Sequence, residues 1–151
     1  MDDFFTWRES WRLDVEQLDR HHKALAGLLS SIARVYLSGE DRDELTVLLD
    51  KLYADTRQEF LDEERLMAET RYRGYSRHAN EHAMLQAELK HCIRDIKAGK
   101  ECLDMEMLSS LKSWFIGHIT SSDKAFALHL LAHRSEGNIH PRDRIRDAHG
   151  A

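Results

Sequence analysis

Four stretches of this chain carry an apolar stripe at helical spacing, and each stripe is broken at one end by histidine, glutamate or aspartate. Read in steps of three and four, the first stripe is His22, Leu25, Leu29, Ile32 and Tyr36. The second is Leu45, Leu48, Leu52, Asp55, Glu59, Glu63 and Leu66, and the third His78, His82, Leu85, Leu89, Cys92 and Ile96. The fourth is Leu108, Leu111, Phe115 and His118, with Ser122 and Asp123 next. The first and third stripes carry their polar groups at their starts, the second and fourth late in their course. Helices that alternate in direction bring all four polar ends to one level.

The pattern predicts helices over 19–37, 43–70, 76–98 and 104–133. Asp19 is placed to cap the first, Ser38-Gly39 ends it, Gly99 ends the third, and Gly137 and Pro141 follow the fourth. One proline and seven glycines leave few breakers within them. Short connections favour antiparallel neighbours, so the expected fold is all-α, an antiparallel up-down four-helix bundle. Residues 1–18, with Phe4, Phe5, Trp7 and Trp11, form an N-terminal arm. Residues 19–134 form the bundle and 135–151 a polar tail, one domain across 1–151. A length of 151 residues suffices for a core, and 42% hydrophobic with 32% charged residues is not a disordered composition. The formal charge of -5 argues against nucleic acid or an anionic membrane as partner. No apolar run is long enough to span a bilayer. The opening Met1-Asp2-Asp3 is not that of a secretory signal. Cys92 on a stripe and Cys102 in a loop read as reduced thiols, so the expected location is cytoplasmic.

Seven groups should converge at the polar level: His22, Glu59, Glu63, His78, His82, His118 and Asp123. Burying ionised carboxylates without partners costs several kcal/mol each, and neutral imidazoles cannot offset three negative charges. No lysine or arginine lies on these parts of the stripes. Multivalent cations can, and two ions sharing carboxylates use this many ligands better than one. His78 and His82 share one face, as do Glu59 and Glu63. His118 and Asp123, five positions apart, are off one α-helical face by more than a right angle, which suits a carboxylate reaching across between ions. His129 and His133 repeat the spacing away from this level and read as surface residues. His21, Glu64 and His91 are expected to be exposed.

At these residues the sequence resembles hemerythrins, especially the single-domain bacteriohemerythrin-like kind, over about Phe5 to Phe126. The segments that carry the likeness are Trp7 to Trp11 with Asp19 to Leu25, Glu59 to Met67, Tyr72 to His82, and Trp114 to Lys124. The resemblance implies a non-haem centre of two iron ions joined by an oxo or hydroxo group and by Glu63 and Asp123. It further implies that His78, His82 and His118 hold the saturated iron, and His22 the iron that receives dioxygen, with Trp114 walling the pocket. Glu59 stands where the family has histidine, Asp14 where glycine is usual, and Arg73 where proline is usual. Gln58 points about a quarter turn away and does not replace the missing nitrogen. A carboxylate at Glu59 favours the ferric state, makes manganese possible as an alternative metal, and opposes reversible dioxygen binding. It either ligates the metal or hydrogen-bonds a water on it. The expected function is binding of dioxygen or a related small ligand for storage, delivery or sensing, rather than enzymatic. Sensing calls for a separate protein partner. The alternatives are a carboxylate-enriched redox enzyme acting on peroxide, nitric oxide or ferrous iron, and an interaction module with a structural metal.

Overall fold

The structure, a computed structural model, describes residues 4–39, 42–100 and 103–137. The expected loop position of Cys102, the first three residues of the arm and most of the polar tail lie outside these. A 3-10 turn at Glu9–Trp11 precedes helices α1 (Glu16–Ser38), α2 (Arg42–Glu69), α3 (Tyr75–Lys97) and α4 (Met105–His118). A π-helical turn, Ile119–Asp123, then leads into α5 (Lys124–Gly137). Backbone angles at His118, Ile119 and Lys124 stay right-handed helical, so α4, the π turn and α5 form one continuous fourth rod. No strand occurs among the described residues, and none of the helices is long and apolar enough to cross a membrane.

The expected all-α four-helix bundle is therefore present. Its rods alternate in direction. Arg42 at the start of α2 donates to the Ile96 carbonyl at the end of α3, and Lys97 pairs with Asp50. Early α3 meets the late fourth rod through His82 and His118, while Cys92 reaches Met107. Asp104 caps α4 by accepting from the Met107 amide at 2.7 Å. Gly39 ends α1 at φ +66°, its amide bonding to the Val35 and Tyr36 carbonyls, a left-handed C-terminus that glycine adopts without steric cost.

Asp19 does not cap α1. The helix starts at Glu16, three residues earlier than expected, with Val15 at the cap position. The Asp19 carboxylate instead accepts from the Leu13 and Asp14 amides at 2.8 and 3.1 Å, tying the arm to the first turn. Farther out the arm is held by Phe5, whose amide donates to Ser30 Oγ, and by Lys112, which donates to the Phe4 carbonyl.

The polar level is not at the end of the core but between two apolar clusters. The larger contains Leu29, Ile32, Leu52, Leu89, Leu108 and Phe115. The smaller, beyond the polar level, contains Val15, Leu18, Met67, Phe126 and Leu130. The predicted stripes of α3 and α4 are buried throughout. The second stripe is rotated: Leu49, Thr56, Phe60 and Met67 face inward with Leu52, Glu59 and Glu63. Asp55 is exposed beside Lys51, and Leu66 is half-buried. An α2 of 28 residues drifts around its axis relative to steps of three and four, so one straight stripe could not stay inward along its length.

Candidate metal centre

All seven predicted residues converge, each 5% exposed or less. α1 contributes His22, α2 Glu59 and Glu63, α3 His78 and His82, α4 His118, and the π turn Asp123. Asp123 is at the middle. Its Oδ1 lies 2.9 Å from His78 Nε2 and 3.1 Å from His118 Nε2, while its Oδ2 lies 2.9 Å from His22 Nε2. His118 Nε2 is in turn 3.1 Å from His78 Nε2 and 3.2 Å from His82 Nε2. Glu63 approaches His82 Nε2 at 3.5 Å, and Glu59 approaches His22 Nε2 at 3.6 Å. Two sets of donor atoms result, His78, His82, His118 and Asp123 in one and His22, Glu63 and Asp123 in the other, each within a 4.8 Å span.

His118 and Asp123 lie on the same side of their rod, contrary to the expectation from α-helical spacing. The π turn is the reason: its i→i+5 bonding sets residue i+5 over residue i, where an α-helix would turn it away.

Two carboxylates outside the seven orient the imidazoles. Glu81 Oε2 is 2.9 Å from His118 Nδ1 and also accepts from Ser122 Oγ at 2.7 Å. Glu64 Oε2 is 3.3 Å from His82 Nδ1, so Glu64, expected to be solvated, is half-buried against the site. A carboxylate at Nδ1 draws the proton of a neutral imidazole there and turns the Nε2 lone pair inward. When both rings are neutral, His82 and His118 present lone pairs to one another, an arrangement that a cation between them stabilises. Aromatic rings fix the imidazole planes. Phe60 stacks on His82 at 3.6 Å, Trp114 on His118 at 4.6 Å, and Trp7 more loosely on His22 at 6.4 Å.

The charges follow from burial and proximity. Burial first, then His78 and His118, depress His82 to about 2, so it is neutral and ready to ligate. Burial, reinforced by Asp123, pushes Glu59 and Glu63 well above the usual carboxylate range. Burial acts the same way on Asp123, but the imidazoles of His118, His22 and His78 outweigh it and hold the group well below its ordinary value. Burial also works against protonation of His118, yet Asp123 and then Glu81 raise it. Both Glu63 oxygens, both His22 ring nitrogens and His78 Nδ1 are buried without an aligned hydrogen-bond partner. Native interiors rarely leave polar atoms so. Nitrogen and oxygen lone pairs left over at the meeting point of four rods are a donor set that suits transition-metal cations.

The remaining histidines take other roles. His129 Nε2 reaches the Thr70 carbonyl and hydroxyl at 3.1 and 3.0 Å, fastening α5 to the end of α2. His133 and His91 are exposed, but His21, expected to be exposed, is half-buried. Sequence reasoning missed Glu81, although it lies one turn beyond His78 and next to His82; a carboxylate beside a candidate ligand was the available signal.

Comparison with known proteins agrees with this geometry. The family model described as "Hemerythrin HHE cation binding domain" matches residues 13–129. A myohemerythrin of Riftia pachyptila is 30% identical over 119 residues, 79% of this chain and 88% of that protein. A bacteriohemerythrin of Stenotrophomonas maltophilia is 23% identical over 130 residues, 86% of this chain and 84% of that protein. A crystal structure of wild-type hemerythrin superposes with a TM-score of 0.79 at 23% identity, over 84% of this chain and 98% of that one.

Proposed function

Because the chain belongs to the hemerythrin family, we propose that it is a non-haem di-iron protein that binds dioxygen or a related small ligand. The observation that carries this reading is that Asp123 belongs to both donor sets, one oxygen turned toward each. His78, His82 and His118 with Asp123 would hold one ion. His22 and Glu63 with Asp123, joined by Glu59, would hold the other. Bound iron supplies a redox couple and a coordination position open to a small ligand.

The chain's own residues do the rest. Glu81 and Glu64 keep two imidazoles in the ligating tautomer. Phe60 and Trp114 hold those rings flat and keep water off them. Once a bound cation displaces its proton, Glu59 would add a negative charge on the His22 side, which would favour the higher oxidation state and widen the choice of metal toward manganese. That placement also supports a second reading, a redox enzyme turning over peroxide, nitric oxide or ferrous iron.

Metal analysis of the purified chain with anaerobic and aerobic absorption spectra tests the proposal. Iron near two per chain and an absorption change on admitting dioxygen that reverses on its removal are expected. A stably folded chain that takes up no transition metal overturns it. Steady turnover of peroxide or nitric oxide without such a reversible change favours the second reading.

A further inference from the structure

We propose that the groove between α1 and α2 is the port through which a divalent cation reaches the His22, Glu63 and Asp123 set, with Asp55 and His21 as relay points outside the centre. The proposal rests on the reading of that set as part of a metal centre.

The groove encloses about 220 Å³ and is lined by His21, Leu25, Leu28, Asp55, Gln58 and Glu59 among others. Asp55 stands at the mouth, its side chain half exposed and paired with Lys51 at 3.0 Å. Asp62, held by Gln58 at 3.0 Å, lies near enough for its charge to act, with that of Asp55, on both His21 and Glu59. On the wall, His21 Nδ1 is buried without a hydrogen-bond partner. Glu59 closes the inner end at 4% exposure. Its nearest ion-pair neighbour is His22 Nε2 at 3.6 Å, and that nitrogen is 2.9 Å from Asp123.

Carboxylate, imidazole and buried carboxylate thus succeed one another from the surface to the centre. Such a series suits a hydrated cation, which leaves water only as it gains oxygen and nitrogen ligands. An uncharged gas has no use for it. A second cavity at the centre, lined by His78, Glu81, Trp114 and His118, carries Arg77 at its rim. The Arg77 side chain lies 3.8 Å from Glu81 and offsets the negative charge that would draw a cation to that cavity.

A charged port acts chiefly on the rate of entry. The test is stopped-flow uptake of Co²⁺ by the full-length chain stripped of metal, followed by its ligand-field absorption, and release from the loaded chain to excess chelator. Wild type is compared with Asp55→Asn, His21→Leu and the double variant. We expect one phase of uptake to slow about tenfold in the double variant, within the range of electrostatic focusing. Release should change much less than uptake, with two ions still bound per chain. Added salt should slow wild type more than the double variant.

Variant rates equal to wild type overturn the port and leave the metal centre standing. Unchanged uptake with faster release also overturns it, because that signals a weakened site. If wild type binds no Co²⁺, the metal-centre reading falls and the port with it. Should His21→Leu lose helical circular dichroism, Asp55→Asn alone decides, with a smaller change in the same direction expected.

Discussion

Asp123 Oδ1 lies 3.1 Å from His118 Nε2 although the two stand five positions apart along one rod. The π turn between them puts one carboxylate where all four rods meet, with an oxygen toward each donor set.

A shared ligand and an unshared one should fail differently. Asp123→Ala is expected to abolish binding of both metal ions, whereas His22→Ala should remove one and leave about one per chain. Metal-to-protein ratios, with circular dichroism to verify the helices, measure the difference. Equal losses from the two variants would refute the bridging role of Asp123.

Glu59 stands where the sequence resemblance to hemerythrins implies a histidine. Glu59→His should therefore strengthen reversible dioxygen binding, seen as an oxy absorption band that disappears under argon and returns with dioxygen. A wild-type chain that already shows a stable, fully reversible band would remove the reason for assigning Glu59 this influence.

Glu81 acts through His118. Glu81→Gln keeps a hydrogen-bonding group but loses the charge that makes the imidazole a stronger ligand. Metal affinity should fall about 10- to 100-fold, read by chelator competition. Glu64→Gln should cost less, since its contact with His82 is longer, 3.3 Å against 2.9 Å.

The metal-free chain should lose stability as pH rises above 6.5, the ordinary histidine value. Glu59 and Glu63 are raised well above their unfolded value of 4.5, so the folded state binds more protons than the unfolded one above that value. His118, raised from 6.5, contributes in the same direction, its stabilisation being lost as pH rises through its folded value. His82, lowered to about 2, opposes only below its unfolded value of 6.5. Asp123, lowered from 3.8, matters only in acid. Thermal melts of chelator-treated protein across this window should flatten in Glu63→Gln, and that variant should melt higher at the alkaline end while binding metal more weakly. A wild-type melting temperature that rises with pH would contradict this account.

Asp14 adopts φ +62° just before α1, in the left-handed region. Glycine occupies that region without the side-chain penalty, which is roughly 1–2 kcal/mol for most residues and smaller for aspartate. Asp14→Gly should stabilise the fold by up to about 1 kcal/mol, a rise of about 2–4 °C in Tm for a chain of this size, with metal content unchanged. The exposed pair that Asp14 makes with Arg12 offsets little of this. A lower Tm would show that the pair outweighs the strain.

How far the sequence was legible can be judged from particular residues. The His78 and His82 pair, the Glu59 and Glu63 pair and the stripes of α3 and α4 follow from α-helical periodicity, which is local, and are where periodicity predicts, whereas the stripe of α2 is rotated along its 28 residues. Asp19 was misread because a side chain able to cap forward can equally bond backward to the Leu13 and Asp14 amides. Glu64 was misread because a carboxylate on a helix flank is solvated until a neighbouring rod, here with His82, comes against it.

The amino-acid order alone determined four rods, their alternation in direction and the chemistry of the seven groups at one depth. Each of these depends on residue type and on spacing within a single helix. Only the folded chain decided that Asp123 lies between the two donor sets, that Glu81 and Glu64 stand behind the imidazoles, and that a second apolar cluster closes the far side. Those outcomes arise where one rod departs from ideal α-helical geometry or meets another, and the free energy of such contacts exists only once distant segments are packed together.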